Sequence, residues 1–179
     1  PDLIRKDWLE ELTNLQDNLP PFDHQMALEI LESEIGSPVT EIFKVFPEQP
    51  IASASLGQVY KALLKGNYWV AVKIQRPNLQ FILRRDLVIL KALCNLAGPI
   101  LPLNLGFKIG EIIDEFGRIL FEEIDYKQEA KNTEKFASLF FENHHIKVPR
   151  VEHDFSTERV ITTSWIDGIK LKDNEQLQK

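Results

Sequence analysis

The sequence has little cysteine and no long apolar run. Cys94 is its single cysteine, so no disulfide can form within the chain, which is typical of a reducing compartment. No stretch approaches the roughly 18 consecutive apolar residues of a membrane-spanning helix, and residues 1–6 lack the apolar core of a signal peptide. We therefore expect a protein of the cytoplasm or of an organelle stroma or matrix, which can still lie peripherally on a membrane surface.

Positive charge is also scarce. The 27 Asp and Glu residues outnumber the 21 Lys and Arg residues, which gives a formal net charge of -6. A nucleic-acid-binding surface needs dense positive charge to meet the phosphates, so nucleic acid is not an expected partner. The four histidines form no HxxxH or HExxH pattern, so we expect no metal site within this chain.

An apolar content of 44% over 179 residues is enough for one buried core. Helical spacing predicts three helices before any strand, which carry Trp8, Leu9, Leu12 and Leu15, then Ala27, Ile30, Leu31 and Ile35, then Val39, Ile42, Phe43 and Phe46. Asp23 can cap the second helix and Gly36 suits its end, while Ser37 and Pro38 are predicted to be the cap and the first residue of the third helix. Residues 1–48 are therefore predicted to be a helical extension.

After Pro47 the pattern changes to strands. Residues 59–64 and 68–74 predict a hairpin around the turn Lys65-Gly66-Asn67. A long helix should follow and end at Gly98-Pro99, and another should begin near Phe107, with a break around residues 122–125. Residues 148–151 and 160–163 predict a second strand pair. This order of elements predicts an α+β fold.

Lys73 interrupts the apolar strand Val70-Ala71-Val72-Lys73-Ile74. An isolated buried ammonium is strongly disfavoured, so this lysine needs an anionic partner or a cleft. In kinase small lobes such a strand lysine contacts the α- and β-phosphates of ATP, and a helix glutamate holds it in place. Glu129 is the candidate for that glutamate. The alternative is a strand-edge lysine that extends its ammonium to water.

A run of small residues lies where a kinase small lobe has its phosphate loop. It consists of Ala52, Ser53, Ala54, Ser55, Leu56 and Gly57. Small side chains let backbone amides approach phosphates, but alanine and serine restrict φ, so this loop should be stiffer than a glycine-rich one. The alternative is an ordinary turn between a helix and a strand.

A second polar cluster runs from residue 122 to residue 132. Within one helix, Asp125 and Glu129 would lie on the same side, with Asn132 three residues beyond. The alternative is a solvated acidic face. The aromatic residues Phe136 and Phe140, which continue the same helix, weaken that alternative.

Three ordered segments together resemble the UbiB/ADCK atypical kinase family. They are residues 51–62, the strand at 70–73 followed by Gln75-Arg76-Pro77, and Glu123-Ile124-Asp125-Tyr126 followed by Glu129, Ala130 and Asn132. Leu19-Pro20-Pro21-Phe22 also resembles that family's helical extension. The resemblance covers almost the whole chain. It implies a protein-kinase-like small lobe, in which an antiparallel sheet packs with an equivalent of kinase helix C, plus family-specific N-terminal and inserted helices.

The resemblance also implies which residues hold ATP. Lys73 would be the nucleotide lysine and Glu129 its helix partner, while Glu123 and Asp125 match the family's ExD signature. Residues 164–168 resemble the hinge between the lobes, whose backbone would meet adenine, although a simple strand-end turn is the alternative. The expected nucleotide-binding residues are Ala52, Ser53, Ala54, Ser55, Leu56, Gly57, Ala71, Lys73, Glu129, Trp165 and Ile166.

The same resemblance implies the arrangement of domains. Residues 49–168 would form the small lobe with a helical insert at about 78–122, and residues 169–179 would begin the linker to a large lobe. The family's KxGQ motif would precede Pro1, and its catalytic loop and metal-binding aspartate would follow Lys179. We therefore expect no catalytic residue and no metal ligand in this chain, Mg bound through the large lobe, and no phosphoryl transfer by the chain alone.

Three hypotheses for function follow. The first is the ATP-binding small lobe of an atypical kinase-like ATPase or transferase linked to isoprenoid quinone or membrane-lipid metabolism. Its expected partners are a nucleotide, a lipid, quinone or membrane surface, and proteins of a quinone pathway. The second is a nucleotide-binding regulator, a pseudokinase or scaffold. The third is a purely structural helical module.

Overall fold

The computed structural model describes residues 19–97 and 109–168. The predicted first helix, the Gly98-Pro99 helix end and the predicted linker at 169–179 lie outside these ranges. The helices are α1 (His24–Ile35), α2 (Val39–Ile42), α3 (Leu79–Ala97), α4 (Ile109–Glu123) and α5 (Tyr126–Leu139). The strands are β1 (Phe43–Val45), β2 (Ala52–Ser53), β3 (Gly57–Leu64), β4 (Trp69–Gln75) and β5 (Val160–Ser164), with a 3-10 turn at His153–Phe155.

The strands form one antiparallel sheet in the order β1-β3-β4-β5. β2 pairs with β3 on the edge that β1 also occupies, because β1 lies opposite Leu63 and Leu64 while β2 lies opposite Gln58 and Val59. A single antiparallel sheet combined with helices confirms the α+β prediction. Within the described ranges, no helix is both long and apolar enough to cross a membrane.

The third predicted helix is much shorter than its spacing indicated. α2 ends at Ile42, and Phe43 begins β1 by pairing with Leu64, while the Lys65 amide donates to the Ile42 carbonyl at 3.0 Å. The helical spacing of these residues therefore gives only one turn of helix, and from Phe43 onward the chain instead pairs with β3. The prediction that Ser37 caps this helix was wrong, because Pro38 is the cap residue and the Glu32 side chain accepts from the first amide, that of Val39, at 2.8 Å.

The second predicted strand pair is also different. β5 pairs along its whole length with β4, from Val70 opposite Ser164 to Ile74 opposite Val160. Val151 forms only one isolated bridge, with Thr163. Residues 160–163 are therefore a strand, as predicted, but their main partner is the strand that carries Lys73.

The two faces of the sheet have different coverings. Side chains alternate between faces along a strand, so Val70, Val72 and Ile74 share one face, and they pack against Ala27, Ile30 and Leu31 of α1. The opposite face carries Lys73 and Ile161, which are paired across β4 and β5. Tyr126 and Ala130 of α5 form the second core cluster there, with Val151 and Ile161. Lys73 therefore lies on the face that α5 covers.

The caps of α1 agree with the sequence prediction. The Asp23 side chain accepts from the Met26 amide at 3.1 Å, and Gly36 ends the helix in the left-handed region with φ of 78°. We expect Asp23→Ala to lower the free energy of unfolding by about 1 kcal/mol, because one helix amide loses its acceptor. Asp23→Ser keeps a side-chain acceptor and should therefore lower the free energy of unfolding much less than Asp23→Ala does. Urea unfolding of both variants would measure it, and equal losses would contradict the capping role.

Candidate functional site

Lys73 and Glu129 form the centre of the candidate site. The Lys73 Nζ lies 2.6 Å from the Glu129 Oε2, and their side chains are 34% and 41% exposed. Lys73 is not on a strand edge, because β4 pairs with β3 on one side and β5 on the other. The anionic partner that the sequence required is therefore Glu129, 56 residues further along the chain.

Two contacts at the start of α5 bring Glu129 to Lys73. The buried Gln75 side chain, two residues after Lys73 on the same face, donates to the Ile124 carbonyl at 2.8 Å. The Tyr126 amide donates to the Glu158 carbonyl, just before β5, at 3.1 Å. The start of α5 is therefore bound both to β4 and to the segment just before β5. Since Glu129 lies about one turn into this helix, its side chain is placed over Lys73.

Tyr126 lies beneath this ion pair. The Lys73 Nζ is 4.6 Å from the centre of the Tyr126 ring, within range of a cation–π attraction. The side chain is fully buried. Burial raises the pKa of the Tyr126 hydroxyl well above its usual value, and the negative charges of Glu129 and Glu123 raise it further, so the phenol stays neutral. Sequence reasoning named Tyr126 only as part of a motif; its spacing of three residues before Glu129 was the available signal.

The run of small residues is the tip of a β-hairpin rather than a turn between a helix and a strand. β2 pairs with β3, and the Ala54 amide donates to the Gly57 carbonyl at 2.8 Å. Ala52, Ala54 and Ser55 are exposed. Within the described part of the chain, the amides of Ser55 and Leu56 donate to no other group. Unpaired amides at a tight turn are the kind of donor that binds anionic oxygens.

Gly57 differs from the flexible glycine that a phosphate loop suggests. It is the first, buried residue of β3. A Cβ built there would lie 2.5 Å from the Ile74 carbonyl oxygen and 2.7 Å from the Tyr126 hydroxyl. Gly57 is therefore required by close packing, and this packing joins the hairpin to the residue that supports Lys73.

A cavity of about 460 Å³ opens beside the ion pair on the α5 side. Lys73, Glu129, Glu123 and Asn132 line it, with Phe136 as an apolar wall. The hairpin tip and residues 165–166 do not line it. The cavity thus brings together four residues of the segments that carry the resemblance, Lys73, Glu123, Glu129 and Asn132.

Asp125 is not beside them. It precedes α5, and its side chain accepts from the Lys127 amide at 3.0 Å as the helix cap. The expectation that Asp125 and Glu129 share one helix face was wrong, because the predicted break falls at Ile124, whose side chain is buried and whose carbonyl is held by Gln75. Glu123 ends α4 instead, so the two acids of the signature lie on different elements.

Ala71 and Trp165 lie toward the other end of β4. Ala71 shares a face with Lys73 and is paired with Thr163. The Trp165 amide donates to the Trp69 carbonyl at 3.0 Å, which extends the sheet one residue beyond β5. Ile166, which follows, is exposed. The small Ala71 side chain therefore leaves a partly open strip of sheet between Lys73 and residues 165–166.

Lys61 is a neighbour of Trp165 that sequence reasoning missed. The Lys61 Nζ lies 4.4 Å from the centre of the Trp165 ring and 3.7 Å from the Asp167 Oδ1. The Trp165 indole donates to the same Asp167 oxygen at 2.7 Å. These contacts hold the segment after β5 against the sheet.

The arrangement is suited to binding an anion. It offers one oriented ammonium and, at the hairpin, unpaired amides. The described residues include no group of three or more His, Cys, Asp or Glu side chains arranged to hold a metal ion.

The chain is similar to known proteins along its whole length. A family described as the ABC1 atypical kinase-like domain matches residues 14–179. An uncharacterised protein of Synechocystis is 47% identical over 99% of this chain and 31% of its own length. The chloroplastic protein Activity of BC1 complex kinase 1 of Arabidopsis thaliana is 41% identical over 99% of this chain and 26% of its own length. The chain thus spans about a quarter to a third of these curated relatives.

A solved structure shows the same fold. The complex of Rv3197 with erythromycin, from Mycobacterium tuberculosis, superposes with a TM-score of 0.74 at 30% identity, over 100% of this chain and 44% of that one. The sheet with α5 across it is therefore a kinase-like small lobe, in which α5 stands in the place of kinase helix C. Together with the family match over residues 14–179, this shows that the chain belongs to the ABC1 atypical kinase-like family.

Proposed function

We propose that this chain is the ATP-binding small lobe of an atypical kinase-like ATPase or phosphotransferase. The observation that carries the proposal is the 2.6 Å pair between Lys73 and Glu129, on the sheet face beside an open cavity. A lysine held by a helix glutamate has a fixed ammonium, which is what the α- and β-phosphates of ATP require. When bound, ATP with Mg supplies the phosphoryl group, and we propose that the Mg ligands come from a large lobe.

The other residues of the proposed site fit a nucleotide. The unpaired amides of Ser55 and Leu56 offer donors to phosphate oxygens, at the end of β3 nearest to Lys73. Ala71, with its methyl group, leaves room for a flat base on the sheet. Trp165 and Ile166 lie at the far end of that strip, where a backbone hinge would meet adenine. These positions support a phosphate end at the hairpin and a base end at residues 165–166.

Calorimetry on the complete protein tests the proposal. We expect Lys73→Ala to weaken Mg-ATP binding at least about tenfold, because a charge-assisted contact to phosphate is lost. Lys131→Ala is the matched control, since Lys131 is an exposed lysine on the same helix as Glu129 and should bind ATP like the wild type. Equal affinity of the wild type and Lys73→Ala for Mg-ATP would contradict the proposed ATP site.

We also propose that this chain alone turns over no ATP, since a catalytic base is not among its expected site residues. A phosphate-release assay on the isolated chain checks this. Turnover that disappears in Lys73→Ala would contradict it.

The setting of the complete protein is a further part of the proposal. The resemblance to the UbiB/ADCK family supports a role in isoprenoid quinone or membrane-lipid metabolism, with a lipid, quinone or membrane surface and proteins of that pathway as partners. The chloroplastic relatives support an organelle stroma, peripheral to a membrane, with matrix or cytoplasm as alternatives.

A further inference from the structure

Arg76 holds the tip of the hairpin that carries the unpaired amides. The register that pairs Gly57 with Gln75 continues one step, so the Arg76 amide donates to the Leu56 carbonyl at 3.0 Å. The guanidinium then turns onto the tip itself. Its Nε donates to the Ala54 carbonyl at 2.9 Å, and its Nη2 lies 3.3 Å from the Ser53 hydroxyl. Arg76 therefore donates hydrogen bonds to three of the four residues from Ser53 to Leu56.

The same guanidinium reaches the segment before α1. Its Nη2 also donates to the Pro20 carbonyl at 2.9 Å, and its Cζ lies 5.8 Å from the centre of the Phe22 ring. The buried Gln58 side chain holds Phe22 from the other side, because it accepts from the Phe22 amide at 3.1 Å and donates to the Phe22 carbonyl at 3.4 Å. Residues 20–22 are thus fastened to the hairpin by Arg76 at its tip and by Gln58 on β3.

Only an arginine can make this set of contacts. Its planar guanidinium presents donors in a fixed fork, so Nε and Nη2 can serve different segments at once, whereas a lysine ammonium is a single point charge on a flexible stem. Engaging the carbonyl of Ala54 and the carbonyl of Leu56 also restricts the orientation of the peptide groups between them. The Ser55 amide belongs to the same peptide group as the Ala54 carbonyl, and the Leu56 amide belongs to the next peptide group along the chain.

We propose that Arg76 is a positioning residue for nucleotide phosphates, which it serves by holding the hairpin tip so that its amides face the ligand. This inference rests on the proposed ATP site. Arg76 itself need not touch the nucleotide. Loss of the guanidinium frees the tip, so the amides must be ordered at the moment of binding, and affinity falls. The affinity lost is the part that comes from the phosphates, and binding of the base at residues 165–166 is unchanged.

Calorimetry with two ligands tests this on the complete protein. Mg-ATP engages the hairpin and adenosine does not. We expect Arg76→Lys and Arg76→Gln each to weaken Mg-ATP binding about tenfold, the cost of ordering about one backbone residue at the moment of binding, and to leave adenosine binding as in the wild type. Arg85→Lys is the matched control, because Arg85 is exposed on α3 and pairs with Asp86. In hydrogen exchange without ligand, the hydrogen-bonded amides at the tip, those of Ala54 and of residue 76, should exchange faster in both Arg76 variants.

The outcomes are distinguishable. A wild type that binds no Mg-ATP overturns the proposed function, and the present inference with it. A wild type that binds Mg-ATP, with Arg76→Lys and Arg76→Gln binding it equally well, overturns only the role of Arg76. Parallel losses for Mg-ATP and adenosine indicate general damage to the lobe and also overturn it, as does unchanged hydrogen exchange at the hairpin.

Discussion

Gly57→Ala should lower the free energy of unfolding by about 3 kcal/mol, at the upper end of the cost of over-packing a core. The added Cβ would lie 2.5 Å from the Ile74 carbonyl oxygen and 2.7 Å from the Tyr126 hydroxyl. Neither neighbour can move freely, because Ile74 is paired on both sides, with Gln58 and Val160, and Tyr126 is fully buried. Urea unfolding measures the loss.

Gly110→Ala is the control for that experiment. Gly110 is in α4, and the nearest atom to an added Cβ is the Lys91 Cε at 3.9 Å, so alanine fits there. Its higher helix propensity should leave stability unchanged or raise it by up to about 1 kcal/mol. The double variant Gly57→Ala, Tyr126→Phe removes the hydroxyl from the clash and should recover part of the loss. Wild-type stability in Gly57→Ala would show that the strands can separate to admit a methyl group.

The ion pair of the candidate site could be predicted from the sequence for a chemical reason. A lysine within an apolar strand requires an anion, and the helix that follows Glu123 offered Glu129 at a position matching a kinase helix C. α1 could be predicted because its signals are local, with an acceptor at Asp23 and a glycine at residue 36. Sequence reasoning thus found features with local signals, and it found one distant partner, Glu129, through the likeness to a kinase small lobe.

Other features that depend on distant partners were missed. The start of β1 at Phe43 is fixed by β3 more than 20 residues later, and helical spacing could not reveal it. Arg76 was named only as part of the motif Gln75-Arg76-Pro77. Its role was missed because its partners, Ala54 and Pro20, are 22 and 56 residues away in the sequence. Asp125 was placed inside a helix because charge spacing alone does not show that Gln75 fixes the break before it.

The pair of Lys73 and Glu129 should behave as one unit in ATP binding. We expect Lys73→Met and Glu129→Gln each to weaken Mg-ATP binding by about 10- to 100-fold, the range for a hydrogen bond to a charged group. In the double variant, binding should be no weaker than in Lys73→Met alone, because Glu129 acts by orienting the lysine. Calorimetry on the four proteins gives the coupling free energy directly.

A second pair of the same types gives the control. Lys127 and Glu158 are 3.2 Å apart, and their side chains are 57% and 59% exposed, so Lys127→Met and Glu158→Gln should leave ATP affinity unchanged. Measuring the free energy of unfolding separates an effect on binding from an effect on folding. Because both side chains are more than a third exposed, the Lys73–Glu129 pair should contribute less than about 1 kcal/mol to that free energy. A large loss of affinity with little loss of stability is therefore the expected signature. Additive losses in the double variant would instead mean that Glu129 contributes to nucleotide binding independently of Lys73.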